Sequence, residues 1–149
     1  MRISTLILRV ALVAVLCGTL ATSLAPPALA GRASEQSALG DVNRDRSSHS
    51  VRPVDMQARI SQLARRHSSR MAAQRRLFHD CLECIRRHYG WQVAGENVGY
   101  AGSVEEANTL FMHSREHRDN ILCTCFTYVG IGVVRSGGRT WITEIFFRP

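Results

Sequence analysis

Three short segments carry the chemistry-bearing residues of this chain, and they are far apart in sequence. His79 follows Leu77-Phe78, Glu96 sits inside Gly95-Glu96-Asn97-Val98, and His117 opens His117-Arg118-Asp119-Asn120-Ile121-Leu122. Each lies beside residues that read as turn or core. A site made from them exists only if the fold brings the three segments together, so the chain must close into one compact unit that places its middle third against its last third. The run Val129-Gly130-Ile131-Gly132-Val133-Val134 follows, alternating β-branched residues with glycine.

The N-terminus points to an exported chain. Arg2 and Arg9 flank a mostly apolar stretch from Ile3 to Leu24, Pro26-Pro27 interrupts it, and Ala28-Leu29-Ala30 offers small residues where a signal peptidase reads. This layout predicts a secretory signal over residues 1–30, cleaved between Ala30 and Gly31. A membrane anchor needs about 18 or more uninterrupted apolar residues, and Arg9, Gly18, Thr19, Thr22 and Ser23 break the run. Cys17 follows Leu16 rather than the small residue a lipidation site wants. The expectation is a secreted protein with no transmembrane segment after cleavage, a short tail over 31–34, and one domain over 35–149, a size that buries a single core.

Charge narrows the partners. All 19 basic residues are arginine against 12 acids, a formal net charge of +7. A nucleic-acid surface would gather these arginines on one face with aromatics between them, whereas Arg65, Arg66, Arg70, Arg75, Arg76, Arg86 and Arg87 fall around successive helical turns. The reading is a solvated basic surface and no nucleic-acid partner. Such a surface suits anionic envelope polymers or lipid head groups.

Periodicity supplies the elements. Residues 35–48 are weakly helical, with Leu39 and Val42 as the apolar stripe and Asn43-Arg44-Asp45-Arg46 on the polar side; Arg52-Pro53-Val54 ends it. Met56, Ile60, Leu63, Ala64, His67 and Met71 recur at helical spacing and predict a spine helix from Asp55 to Gln74. A short cysteine-bearing helix runs through Arg86, and Gln92 to Tyr100 is extended. Ser103 with Glu106 three residues on has capping-box spacing and opens a helix through Met112. A further short helix carries His117 to Leu122. Thr127–Arg135 and Arg139–Phe147, joined by Ser136-Gly137-Gly138, read as a hairpin. Helices, an extended segment, helices and a hairpin describe an α+β domain rather than alternating βαβ units.

Taken in order, these motifs resemble the bacterial branch of the CAP superfamily, the cysteine-rich secretory, antigen 5 and pathogenesis-related proteins. The resemblance covers about residues 35–147 and implies a three-layer α-β-α sandwich with a small antiparallel sheet. It further implies a central cleft lined by two histidines and two acids, in which some members hold a divalent metal. His79, Glu96 and His117 match the first histidine, first acid and second histidine. Ser114 stands where a second glutamate is often found, and Glu144 is the candidate for the missing charge.

The donor set has its own logic. Two imidazoles and a carboxylate suit Zn²⁺, and three protein ligands with an open position is the arrangement of catalytic zinc. No His-Glu-x-x-His helix is present, which argues against a zincin protease. Ser114 with His117 lacks an evident orienting acid or oxyanion hole. His67 reads as a hydrogen-bonded core residue on the spine helix, and His49, His88 and His113 as surface residues.

Cys81, Cys84, Cys123 and Cys125 make an even number in an oxidising compartment, so disulfides are the default over a four-thiolate zinc site. Of the three pairings, a Cys123–Cys125 bridge across one residue fits disulfide geometry poorly, which favours bridges between the two clusters, closing loops of about 40 residues worth roughly 3 to 4 kcal/mol each. Two functions follow. The favoured one is a secreted binding or structural module that uses a metal-modulated cleft or an apolar groove to engage a lipid, sterol, glycan or extracellular protein partner. The alternative is a metal-assisted hydrolase acting on peptides or cell-envelope material.

Overall fold

A computed structural model describes residues 27–149, with side chains from residue 31 onward. Most of the leader reading therefore lies outside the described residues. The first helix, α1, spans Pro27–Ser48, so the 31–34 stretch read as a tail is helical. Then come β1 (Asp55–Met56), α2 (Ala58–Gln74), α3 (Leu82–Tyr89), β2 (Val93–Ala101), α4 (Val104–His113), α5 (Arg115–Leu122), β3 (Tyr128–Ser136) and β4 (Arg139–Arg148).

The sheet order is β1-β3-β4-β2. Strands β2, β4 and β3 are antiparallel, and the two-residue β1 adds a parallel edge beside Tyr128 and Val129. The spine helix thus starts three residues later than its periodicity suggests, because Asp55 and Met56 are taken by the sheet. Gly137 and Gly138 both adopt positive φ, the conformation a tight two-residue hairpin turn requires, and set Ser136 opposite Arg139. The Ser103 hydroxyl caps α4 by accepting from Glu106 N, and the Glu106 carboxylate returns to Gly102 N.

Because successive strand residues face opposite ways, each strand divides its side chains between two helical layers. On β4, Ile142 and Phe146 enter one core with Val129, Ile131 and Val133 of β3, under Ala38 and Val42 of α1, Phe111 of α4 and Ile121 of α5. Trp141, Ile145 and Phe147 point the other way, against Ile60, Ala64 and Met71 of α2 and the α3 residues Leu82, Ile85 and Tyr89. This is the three-layer α-β-α sandwich that the resemblance implies. The β3 glycines belong to the α2 side: a Cβ at Gly130 would strike Ile60, and one at Gly132 would strike the backbone of Ala64 and Arg65. The alternation Val-Gly-Ile-Gly-Val therefore lets one face of β3 carry bulk while α2 lies directly on the other.

Arg46 departs from its sequence reading. It is not on the polar side of α1 but is among the most buried side chains, 1% exposed. Its guanidinium donates to the carbonyls of Arg52, Ile121, Cys123 and Phe126. A group with five donors in a fixed fork can satisfy carbonyls that the end of α5 and the following loop leave unpaired.

The cysteine pairing also differs from expectation. Cys81 bonds Cys84 and Cys123 bonds Cys125, each with Cα atoms 5.2 Å apart. The reason is topological. Cys81 and Cys84 flank the start of α3, which packs on the α2 side of the sheet, whereas Cys123 and Cys125 pack against the α1/α4/α5 core. The sheet stands between the two clusters, so the bridges between them that spacing favoured do not form.

Candidate functional site

The site is assembled at the edge strand β2. Glu96 points to the α2 side and is 6% exposed. The segment leaving α2 crosses above it, so that His79 Nδ1 lies 2.7 Å from Glu96 Oε2 and Asp80 N donates to the same oxygen at 3.2 Å. A carboxylate oxygen can only accept, so the proton of this pair sits on His79 Nδ1 and the Nε2 edge is left facing outward. The His79 side chain is 61% exposed. Glu96 Oε1, by contrast, is buried with no hydrogen-bond partner among the described residues.

Behind this pair lies a residue that sequence reasoning left in the core. His67 is buried, as expected, but it grips the residues on either side of His79. Its Nε2 donates to Phe78 O at 2.7 Å, and its Nδ1 lies 3.0 Å from Asp80 Oδ2 and 3.8 Å from Glu96 Oε1. Arg70 also pairs with Asp80. Burial alone would push the Asp80 carboxyl up, but hydrogen bonds and charges from His67 and Arg70 outweigh it and hold it below the ordinary carboxylate range. Nothing in the helical periodicity around His67 announces partners 11 and 13 residues downstream, which is why the pattern alone reads as packing.

His117 comes from the opposite layer, on α5. Asn97, the strand neighbour of Glu96, donates to the His117 carbonyl at 3.2 Å, and Asn120 donates to Asn97 Oδ1 at 2.9 Å, so the Gly-Glu-Asn run locks α5 onto β2. The His117 ring rests on Phe111 with centroids 4.9 Å apart. Burial lowers the His117 pKa, the nearby His79 lowers it further, and Glu116 opposes both. The ring is therefore biased toward the neutral, lone-pair-bearing form.

The remaining predicted positions are placed differently. Ser114 is half-buried at the junction of α4 and α5, where its backbone N–H donates to Leu110 O and its side chain makes no cap. Glu144 does not line a cleft with Glu96. In the β2–β4 register Asn97 faces Glu144 and Glu96 faces Ile145, so the two acids lie on opposite sides of the sheet. β4 is a central strand, and Glu144 is 1% exposed rather than at a solvated edge. Its Oε2 accepts from Asn97 at 3.1 Å. Burial, with Asp41 and Asp45 nearby, pushes its pKa up to about 8 despite that hydrogen bond.

A cation would have His79 Nε2 and the His117 ring to bind, with Glu96 behind His79 in the arrangement by which a carboxylate orients a metal-binding imidazole. Among the described residues no three His, Cys, Asp or Glu groups are placed together to hold an ion. Glu96, engaged by His79 Nδ1, is placed to orient that imidazole rather than to act as a third ligand.

Comparison with known proteins agrees with this architecture. The CAP family, described as the cysteine-rich secretory protein family, matches residues 39–146. The chain belongs to that family. It is 29% identical over 103 residues to the uncharacterized protein YkwD of Bacillus subtilis (strain 168), covering 64% of this chain and 40% of that relative. The chain thus spans less than half the length of the curated relative it matches. Solved structures share the fold. An extracellular protein containing a SCP domain from Bacillus anthracis aligns with a TM-score of 0.69 at 24% identity, covering 86% of this chain and 45% of the other. A cysteine-rich secretory protein from Staphylococcus aureus gives 0.69 at 18%, covering 83% and 40%. An outer surface protein from Borrelia burgdorferi gives 0.71 at 9%, covering 78% and 93%. Among the described residues no helix is long and apolar enough to cross a membrane.

Proposed function

We propose that this chain is a secreted binding or structural module whose His79–Glu96–His117 cleft engages an extracellular lipid, sterol, glycan or protein partner, with a divalent cation such as Zn²⁺ modulating it. The observation that carries the reading is the exposed His79 ring, whose Nδ1 is held by the buried Glu96 Oε2 so that its Nε2 edge faces outward. A carboxylate that fixes an imidazole in this way presents the outward nitrogen to a donor or cation brought by a partner. Binding is favoured over hydrolysis because only one acid faces the cleft. Glu144, the other candidate, is on the far side of the sheet and held neutral by burial, so no paired acid and base straddle a substrate position. When bound, a divalent ion would supply Lewis acidity at the Nε2 edge of His79; the chain's own residues orient that edge.

Calorimetric titration of Zn²⁺ into oxidised, signal-free protein, beside the double variant His79→Ala/His117→Ala, tests the cation part. Stoichiometric binding that is lost in a still-folded variant is the expected result. Panels of lipids, sterols and glycans, with and without the ion, test the partner part, and folded protein that binds none of them overturns it. Turnover of peptides or envelope material that the same double variant abolishes would replace the module with a metal-assisted hydrolase.

A further inference from the structure

A separate cavity lies at the other end of the sheet, away from His79 and Glu96. Where α2 ends and the β3–β4 hairpin turns, a cavity of about 460 Å³ is lined by Ala72, Arg75, Ser136, Gly137, Arg139 and Trp141. Trp141 lies opposite Tyr100 on β2, four positions along β4 from Ile145, the residue opposite Glu96. At the strand rise of about 3.3 Å per residue, the two sites are separated by roughly 13 Å along the sheet.

Two guanidinium groups border this cavity, and among the described residues neither Arg75 nor Arg139 has a carboxylate at ion-pair distance. Arg44, Arg65, Arg70, Arg86, Arg87 and Arg115 each pair with an acid, whereas Arg66, Arg76 and Arg118 also have none at that distance; what distinguishes Arg75 and Arg139 is that both border one cavity. Arg139 is also positioned. Its guanidinium stacks over the Tyr100 ring at 4.3 Å from the centroid, and Tyr100 in turn rests on Trp141 at 4.9 Å. A guanidinium held by its face keeps its N–H edge free for a planar or tetrahedral anion. Arg75 is fixed at its backbone as the left-handed cap of α2 (φ 50°). The backbone N–H groups of Arg75 and Arg76 take the Ala72 and Met71 carbonyls, so these carbonyls at the end of α2 are already satisfied. The hairpin adds a hydroxyl from Ser136, and an adjoining cavity of about 280 Å³ brings in Arg135.

We infer that this cavity is an anion site for a phosphate-bearing ligand, with Arg75 and Arg139 gripping the phosphate and the floor around Trp141 receiving the group attached to it. Paired guanidiniums favour phosphate because each donates two parallel hydrogen bonds to its oxygens. The cavity exceeds a bare phosphate, which leaves room for a glycerol or sugar beside it. Such phosphates come from two sources, lipid head groups and soluble phosphodiester polymers.

The test uses the oxidised chain and three probes: inorganic phosphate, glycerol phosphate, and vesicles of phosphatidylglycerol in phosphatidylcholine. The variant Arg75→Gln/Arg139→Gln is set beside Arg66→Gln/Arg115→Gln, which removes the same charge from exposed positions elsewhere. The expected result is a loss of at least about tenfold in affinity for the first variant and less than about twofold for the second. Arg139→Lys, which keeps the charge and loses the fork, falls between them. Binding of the soluble phosphates assigns the site to free or polymeric phosphate, and binding of vesicles alone assigns it to head groups. Equal losses in both double variants, or no binding of any probe by folded protein, overturn the inference.

Discussion

The two faces of the sheet solve the same packing problem with opposite means. On the α2 side, β3 presents Gly130 and Gly132, and the helix backbone comes down almost onto the strand. On the α1/α4/α5 side, β3 presents Val129, Ile131 and Val133, all nearly inaccessible, and the helices stand off on a thick apolar layer. Each face also buries an acid. Glu96 meets an exposed histidine through one oxygen and buried His67 at 3.8 Å through the other, whereas Glu144 is sealed beside Asn97 and pushed toward its neutral form. The same residue type becomes part of a site on one face and a neutral core group on the other. What separates them is whether the covering layer leaves a way to solvent.

The largest expected effect breaks the thin face. Gly132→Ala puts a methyl into the backbone of α2, where no side chain can move aside, and should destabilise by about 3 kcal/mol or more, read as a fall in urea midpoint. The matching break on the thick face is Arg46→Met. It strands the carbonyls of Arg52, Ile121, Cys123 and Phe126 without their donor, at an expected cost of about 3 kcal/mol by the same measurement. A loss well under 1 kcal/mol would show that water replaces the guanidinium.

A more diagnostic effect, smaller within any one pH unit, concerns Glu144. Its folded pKa of about 8 lies above the ordinary 4.5, so between those values the folded state holds a proton that the unfolded chain releases. Its contribution to stability is fully present below pH 4.5 and is lost as pH rises toward 8, by up to about 1.4 kcal/mol per pH unit. Glu144→Gln should flatten that slope in urea titrations at several pH values. An unchanged slope would mean that the carboxyl is not held neutral.

The smallest expected effect comes from reduction. Local Cys81–Cys84 and Cys123–Cys125 bridges restrict far less chain than bridges closing loops of about 40 residues, so dithiothreitol should lower stability by no more than about 2 kcal/mol per bond. A loss of 3 to 4 kcal/mol per bond, with peptide mapping that links the clusters, would restore the long-loop pairing.

Much of the architecture is written locally. The Ser103–Glu106 cap, the Gly137-Gly138 turn and the apolar face of α2 each follow from neighbours within a few residues, and the structure has them where the pattern puts them. Position β1 was not readable: Asp55 and Met56 fit the helical period, and their partner strand lies some 70 residues onward. For the site, His79 and Glu96 are joined by a hydrogen bond, and Asn97 and Asn120 tie α5 to β2. The service of His67 to that site was hidden, because a histidine between apolar neighbours looks the same whether its ring nitrogens meet core carbonyls or the flanks of His79.

By itself, the sequence determined most of the element types and the turn chemistry, which rest on periodicity, capping and conformational preference over short windows, and its ordered motifs carried the resemblance to the family. Only the tertiary structure decided which residues face each other across the sheet. That choice buried Arg46, turned Glu144 away from Glu96, kept the two cysteine pairs apart and left Arg75 and Arg139 unpaired beside one cavity. The physical reason is that strand alternation fixes two faces but does not say which helices cover each. The covering layer then sets the dielectric, the partners and the access to water on which the chemistry of a charged side chain depends.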